Sequence, residues 1–502
     1  MRRSAFTSRA RPLAVEPSAV QSPGQTTRPI PLVLDLDGTV VRGNLLVETA
    51  LAFLKAHPLQ AFMILVWLLR GRAVLKQQLA ARAHVDVEVL PLNHNLIAYA
   101  ADQAGTGRQI FIATAANQAI AEKVAQRIPF VSGVIASDRQ TNLKGAVKAR
   151  VLSERFPNGF DYAGDARADL PVWEAAHAAV VVEAAPAVLA SAGRVAEIAR
   201  VFPRKPIFKS LAKSLRPHQW AKNALVFVPM VLSGKLGDQA ALAATMAAFL
   251  AMNLVASATY LINDLIDLAD DRRHWSKRER PLASGRLPLL AGIAMVPIGL
   301  LAGLGLARLA GPAALAGVGL YIVGTLAYSL HLKRLPILDS FALGSLFTLR
   351  LGIGILACAA PPSPWLLVFS MFLFASLSFA KRHTEVAGVL QRGGTEVRGR
   401  GYKTVDLPLI LAIGIATGMC AVLILVLYII NDAFRQSFYG NVAWLWGFPI
   451  VLFLFVCRIW LMCQRGEMDS DPVAFAVRDR PSLALGAGLT VCFLAAWIGA
   501  AG

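Results

Sequence analysis

Apolar residues along this chain come in runs of two different lengths. Up to about Arg200 the runs are short, β-rich and closed by polar or glycine-containing turns. "PIPLVLDLDGTVV" carries the first, Leu32 to Leu36, and "RQIFIATAANQ" the second, which leads into a helix over Gln118 to Arg127. "FVSGVIAS", "FDYAGDARADL" and "AAVVVEA" carry three more. Short apolar strands alternating with helices predict a parallel sheet covered on both faces. Functional groups of such sheets sit at the carboxyl ends of the strands. A helical insertion over about 44–104 separates the first two strands. Its apolar stretch "FMILVWLL" (Phe62 to Leu69) is too short to cross a bilayer, and fits either a buried cap helix or an interfacial contact.

From about Ala221 the runs reach membrane-spanning length, roughly 18 to 25 residues. About nine spans are expected, near 222–236, 239–262, 288–307, 312–330, 337–358, 364–380, 407–430, 443–463 and 481–500, the first of them weak. The predicted architecture is therefore an α/β parallel-sheet domain with a helical cap (29–200), a basic linker (201–220) and an all-α polytopic membrane domain (221–502). Residues 1–28, rich in Arg, Ser and Pro with no apolar core, are expected to be disordered and cytosolic rather than a secretory signal.

Composition agrees: 56% of residues are hydrophobic and only 16% charged. The net charge of +19 would point to nucleic acid in a soluble protein. Here Lys and Arg crowd alternate connections (264–287, 331–336, 381–406, 464–480), so membrane topology explains the excess and no nucleic acid is implied. The same bias puts the soluble domain and these loops on the cytoplasmic side of the inner (plasma) membrane and the C-terminus outside. Five cysteines lie in or near apolar segments without metal-ligand spacing, and read as small core residues.

Candidate chemistry in the soluble part begins at Asp35 and Asp37, alternate residues at the end of the first strand, which share a face. Thr114 ends the second strand, Lys144 follows "TNL", and Asp165 and Asp169 lie in "GDARAD". Two acids, a hydroxyl, a cation and two hard oxygen ligands suit phosphoryl transfer through an aspartyl-phosphate, with Mg²⁺ offsetting the repulsion between anions. "DLDGT", "ATAAN", Lys144 and "GDARAD" come in the order of the haloacid dehalogenase (HAD) superfamily, which residues 29–200 resemble. The resemblance implies Asp35 as nucleophile, Asp37 as acid/base, Thr114 and Lys144 on phosphate and nucleophile, and Mg²⁺ held by Asp35, Asp37, Asp165 and Asp169.

In the membrane part, "YLINDLIDLADDRRHWSKRERPLASG" (260–285) puts charge of both signs at one helix end. Asp264, Asp267 and Asp271 fall on one helical face beside Asn263. Clustered carboxylates at a membrane boundary need a cation, and their oxygens suit Mg²⁺ bridging to phosphate. The motif resembles that of the UbiA superfamily of intramembrane prenyltransferases. The place of that family's second acidic motif holds "YSLHLKRLPILD", with Tyr328, Lys333 and the single acid Asp339. "LRPHQWAKN", "KRERPLASG", "FAKRHTE" and "DPVAFAVRDR" bring the chain closer to the branch that makes decaprenyl-phosphate phosphoribose.

That resemblance implies 5-phosphoribosyl 1-diphosphate (PRPP) as donor and polyprenyl phosphate as acceptor, in contact with the lipid bilayer. Several phosphates call for several cations, and Arg216, Lys222, Lys277, Arg278, Arg280, Lys333, Lys381 and Arg382 are the candidates. A fused phosphatase would then remove the 5-phosphate. The alternatives are a prenyl diphosphate-dependent transferase acting on an aromatic acceptor, and a non-catalytic membrane scaffold. Homo-oligomerisation is left open.

Overall fold

The computed structural model describes residues 29–137, 142–397, 399–468 and 471–498, so the expectation for residues 1–28 lies outside the described residues. In chain order the elements are β1 (Leu32–Leu34), α1 (Leu45–Ala56), α2 (Phe62–Leu69), α3 (Arg72–Arg82), α4 (His94–Gly105), β2 (Ile110–Asn117), α5 (Gln118–Ala125) and β3 (Val131–Ser137). There follow α6 (Ala146–Arg155), β4 (Asp161–Gly164), α7 (Leu170–Ala175), β5 (Ala178–Val182), α8 (Pro186–Val195) and β6 (Ile198–Phe202). The remainder is helical: α9 (Ile207–Ser214), α10 (Val228–Leu232), α11 (Gln239–Ile266), α12 (Leu268–Arg273), α13 (Leu289–Leu309), α14 (Pro312–Leu330), α15 (Leu338–Cys358), α16 (Pro364–Gln391), α17 (Leu407–Asn431), α18 (Gly447–Arg465), α19 (Pro472–Ala476) and α20 (Arg480–Ile498).

The chain divides into two units. The first comprises the residues up to Val40 together with Leu92–Arg204, and the second comprises Val41–Pro91 with Lys205–Gly502. The first unit holds six parallel strands in the order β3-β2-β1-β4-β5-β6. Leu32, Val33 and Leu34 of β1 and all of β5 are buried, as the continuous apolar runs require of strands covered on both faces. The chain winds outward from β1 to β3 on one side and from β4 to β6 on the other. The switch point lies between β1 and β4, where an open parallel sheet leaves a crevice at the strands' carboxyl ends. The last two residues of β6, Val201 and Phe202, are ones expected to begin the linker. The rest of that stretch is not a simple tether either, since α9 and a 3₁₀ helix over Pro217–Phe227 occupy it.

Among the described residues of the second unit, eight helices are long and apolar enough to cross a membrane. The ninth expected span, 222–236, does not form. It is the 3₁₀ helix Pro217–Phe227, the five-residue α10, and a turn at Gly234 with φ +68°. Pro217, Pro229 and Gly234 interrupt the regular hydrogen bonding that a span needs. Irregular backbone at this depth is tolerated where protein surrounds it. Here Arg350 of α15 donates to Asn223 Oδ1 (2.8 Å), and Asn223 donates to Asn253 of α11 (2.7 Å). The same guanidinium donates to Tyr321 Oη (2.9 Å) and the Leu346 carbonyl (2.7 Å). Two of the five cysteines, Cys420 and Cys457, are exposed rather than core residues. Cys358 and Cys463 are buried, and all five are free thiols.

The insertion also departs from expectation. α4 belongs with the sheet, whereas Val41–Pro91 belongs with the membrane helices. Val47 and Leu51 of α1 pack into an apolar cluster with Leu261, Leu265 and Leu268 and with Leu282, Leu287 and Leu289. Glu48 of α1 accepts two hydrogen bonds from Arg272 of α12 (2.7 and 3.0 Å), both side chains being buried. Lys55 pairs with Asp270 (2.6 Å) and Asp86 with Arg273. Sequence proximity to β1 suggested a cap on the sheet, but these contacts join the segment to the helix bundle.

Gly354 of α15 lets the 3₁₀ segment approach, because a Cβ there would sit 2.2 Å from the Val226 carbonyl oxygen, while one at Gly352 would meet open space. Gly354→Ala should therefore lower the detergent-solubilised protein's unfolding midpoint, by about 1–3 kcal/mol of overpacking. Gly352→Ala should leave it unchanged in the same thermal scan.

Candidate active sites

The sheet unit gathers its acids at the switch point. Asp35 follows β1, Asp165 follows β4, and Asp169 ends the short 3₁₀ turn after it. One carboxylate oxygen from each lies within 4.8 Å of the others. Gly38 (φ +82°) allows this closeness, since a Cβ there would be 2.4 Å from Asp165 Oδ2. The Thr39 hydroxyl donates to Asp165 (3.4 Å), and the Asp169 carboxylate accepts from the backbone N–H of Asp165 (3.3 Å) and Ala166 (3.1 Å).

Burial pushes Asp35 up to about 7 despite the opposing pull of Lys148, with Asp169 and Asp37 adding to the rise. Burial also pushes Asp165 up to about 8, helped by Asp35 and Asp169. Three acids this close and this dry ionise together only with positive charge between them. Their hard oxygens match what Mg²⁺ binds, so the donor set fits that ion.

The cation at Asp35 is Lys148, not Lys144. Lys148 Nζ donates to Asp35 Oδ1 (2.7 Å) and to Tyr162 Oη (2.7 Å), and Tyr162 in turn donates to Asp169 (3.0 Å). Lys144 is exposed ahead of α6. The helical period supplies the missing signal: Lys148 shares the inward face of α6 with Ala149 and Leu152, a face where an unneeded lysine would be costly. Tyr162, in the middle of a buried strand, carried no sequence signal. Thr114 lies within β2, which continues to Asn117, and accepts from the Ala116 N–H (3.0 Å), so its own proton remains to be donated. Asp37 stands half-buried on the turn after β1, close enough to perturb both Asp35 and Asp165.

In the second unit the acidic motif spans the end of α11 and the start of α12. Backbone hydrogen bonds Asp267 N–H to Asn263 O (2.9 Å) and Asp271 N–H to Asp267 O (2.8 Å) carry the helical turn through the junction. The three acids consequently share one side, and each meets a cation. Asp264 accepts from Arg216 (2.5 Å) and Arg280 (2.9 Å), Asp271 from Arg280 (2.5 Å), and Asp267 from Lys333 (2.8 Å). Arg216 adopts a left-handed backbone (φ +52°) that non-glycine residues seldom take, and lies over the Tyr260 ring. Burial raises the Asp271 carboxyl, partly offset by Arg280, and burial lowers Lys277 beside it. Lys222 pairs with Asp471, the N-cap of α19; burial opposes ionisation there, yet Lys222 holds the carboxyl below its ordinary range. Arg278 is exposed and makes no part of this cluster.

Asp339, the one acid in the second loop, is fully buried and already engaged. It accepts from Arg382, from Tyr402 (2.6 Å) and from Ser340 (3.2 Å). Ile337 before it is held at φ +67°, its N–H donating to Tyr402 Oη (2.7 Å). Tyr328 accepts from Arg382 (3.1 Å) and Arg400 (2.8 Å), and Glu385 pairs with Arg382. Lys381 precedes Arg382 on α16, half-buried. Two arginines, Arg382 and Arg400, thus meet two acids, Asp339 and Glu385, at this position. Tyr402, Arg400 and Glu385 carry no sequence signal, because only packing brings Tyr402 to Asp339 and Glu385 and Arg400 to Arg382 and Tyr328.

The charges of the 264–273 stretch thus divide between two sides. Asp264, Asp267 and Asp271 face cations of the bundle, while Asp270, Arg272 and Arg273 face the insertion. Arg272 also donates to the Ala283 carbonyl (3.0 Å), fixing the loop that carries Arg280. Glu48→Gln leaves Arg272 buried without its anion and should destabilise the protein by about 3–5 kcal/mol, read as a lower unfolding midpoint that Glu48→Asp partly restores. In the sheet unit, Lys148→Met leaves the buried Asp35 without its cation and should lower the unfolding midpoint, while Lys144→Met, at an exposed position, should leave the midpoint unchanged in the same scan.

Residues 224–478 match the model of the UbiA prenyltransferase family. A Sinorhizobium fredii protein, y4nM, is 37% identical over 93% of this chain and 91% of its own length, so the likeness runs through both units. Nodulation protein NoeC of Azorhizobium caulinodans is 34% identical over 57% of this chain and 94% of its own. The decaprenyl-phosphate phosphoribosyltransferase of Corynebacterium glutamicum is 34% identical over 39% of this chain, which spans 60% of that relative. With its acidic helix end and its bundle of apolar helices, this chain belongs to the UbiA prenyltransferase family.

Proposed function

We propose that the membrane unit transfers phosphoribose from PRPP to polyprenyl phosphate, and that the sheet unit is a HAD-like phosphatase that removes the 5-phosphate from the product. The observation that carries the transferase reading is the state of Asp339. A prenyl diphosphate site of this family is expected to offer two acidic motifs, but the acid in the second place here is spent on Arg382, Tyr402 and Ser340. Lys333, Arg382 and Arg400 bring cations to that side of the unit, paired now with Asp267, Asp339 and Glu385. A donor with a diphosphate and a separate phosphate, meeting a lipid phosphate, needs such a set. The named activity of the Corynebacterium relative supports the same substrates.

Asp264, Asp267 and Asp271 would hold Mg²⁺, which supplies charge neutralisation at the departing diphosphate. Arg216, Arg280 and Lys333, now paired with those acids, are within reach of the same anion and steady its growing charge. The C1–O bond to diphosphate breaks and a lipid phosphate oxygen forms the new bond to C1. Positive-inside topology puts this mouth on the cytoplasmic side.

In the sheet unit, Asp35, Asp165 and Asp169 would hold Mg²⁺, which neutralises the incoming phosphate. Lys148 holds Asp35 Oδ1, so Oδ2 is the oxygen free to attack phosphorus, and Thr114 donates its proton to a phosphate oxygen. Asp37 gives a proton to the leaving sugar oxygen and then takes one from the attacking water. A covalent tether between the two activities keeps the lipid product at high effective concentration for the second.

The test is mass spectrometry of lipid products after incubation with PRPP, polyprenyl phosphate and Mg²⁺. Wild type should give polyprenyl-phosphoryl ribose, Asp267→Ala no ribosylated lipid, and Asp35→Asn the 5-phosphorylated lipid. Wild-type rates from Asp267→Ala would overturn the transferase site. Free ribosyl lipid from Asp35→Asn would overturn the phosphatase step alone. Consumption of a prenyl diphosphate with no PRPP dependence would establish the aromatic-acceptor reaction instead.

A further inference from the structure

The segment Pro58–Leu69 has no charged residue and runs "PLQAFMILVWLL". Its two sides differ. Met63, Ile64 and Trp67 turn inward and pack with Phe53, Leu75 and Leu79 of α1 and α3. The other side is bare: Leu59 is 92% exposed, Phe62 63%, Leu65 60% and Leu69 80%. Positions 62, 65 and 69 recur at helical spacing, so these side chains form one continuous apolar strip. On a water-facing surface a strip of this kind is a liability, and it marks a surface that something covers.

The bundle indicates what covers it. α1, on which α2 packs, also sits in the apolar cluster that contains Leu289, Met295 and Val296, the first two turns of the membrane-spanning α13. Buried Glu48–Arg272 and the Lys55–Asp270 pair fix α1 to the helix end next to it. The insertion is therefore anchored where a span enters the bilayer, beside side chains such as Leu290 that already face outward. At 1.5 Å per residue the segment is about 18 Å long, too short to cross and long enough to lie along the boundary. Exposed Arg70 closes it, suited to lipid phosphate.

We propose that Pro58–Leu69 is an interfacial foot, lying in the plane of the bilayer surface with Phe62, Leu65 and Leu69 among the lipid acyl chains. The insertion then touches three surfaces: its own apolar core, the end of the acidic helix and the membrane. The foot goes beyond either proposed activity and does not depend on them.

The experiment places p-benzoylphenylalanine separately at Phe62 and at Leu69 in the full-length protein. Each variant is reconstituted in nanodiscs of phosphatidylethanolamine and phosphatidylglycerol and irradiated. Leu301 of α13, 71% exposed on a spanning helix, is the positive control, and must give a lipid adduct. Both foot positions should show the mass increase of one phospholipid at a yield within about twofold of the control. Adducts to another peptide of the same chain, to a second copy or to another protein would overturn the proposal. So would the absence of a lipid adduct at both positions while Leu301 gives one. Two independent positions guard against a variant that fails to fold.

Discussion

A carboxylate removed from water must find a positive charge, and the arrangement of this protein at both sites follows from that requirement. At the end of α11 the three aspartates of the acidic motif are answered by Arg216, Arg280 and Lys333, which come from three different connections. Each pair therefore joins parts of the chain that hydrophobic packing alone would leave free to slide. In the sheet unit Lys148 answers Asp35, with Tyr162 relaying between its ammonium and Asp169, while Asp165 is bonded by the Thr39 hydroxyl. Among the described residues, one lysine beside three acids leaves the group short of positive charge, and so suited to a divalent ion.

The same requirement accounts for the placement of the insertion. Arg272 follows Asp271 directly and cannot face the cations that serve the acidic motif without repelling them. It turns the other way and is neutralised by Glu48, while Asp270 and Arg273 find Lys55 and Asp86. A helix end carrying both signs of charge thus becomes a two-sided fastening. Its inner side gathers Asp264, Asp267 and Asp271 with Arg216, Arg280 and Lys333, and its outer side holds α1 against the bundle. Because α1 also presents α2, the fastening decides where the apolar strip of the insertion lies.

At two places in the membrane unit, irregular backbone is held by side chains that supply what the helix cannot. The Pro217–Phe227 segment enters the bundle supported by Asn223, Asn253 and Arg350, and Arg216 at its start bears a left-handed backbone while holding Asp264. Ile337 bears another next to Asp339, held by Tyr402. Arg216 and Ile337 thus carry the backbone beside Asp264 and Asp339, while a third left-handed residue, Ala359, caps the far end of α15.

The sequence by itself determined the division into a parallel sheet and a helical membrane part, because run length and periodicity are local properties that packing does not alter. It also determined which acids gather, since Asp35 and Asp165 end strands and Asp264, Asp267 and Asp271 repeat at helical spacing. Only the tertiary structure decided which cations answer them. Lys148 and Lys144 differ by one helical turn, and the choice depends on which face of α6 meets the sheet. Tyr402 reaches Asp339 from across the bundle, Glu385 reaches it only through Arg382, and Glu48 reaches Arg272 from more than 200 positions away along the chain. Packing, too, moved the insertion from the sheet to the membrane helices. Such outcomes turn on long-range pairing of charges, which no local pattern of residues encodes.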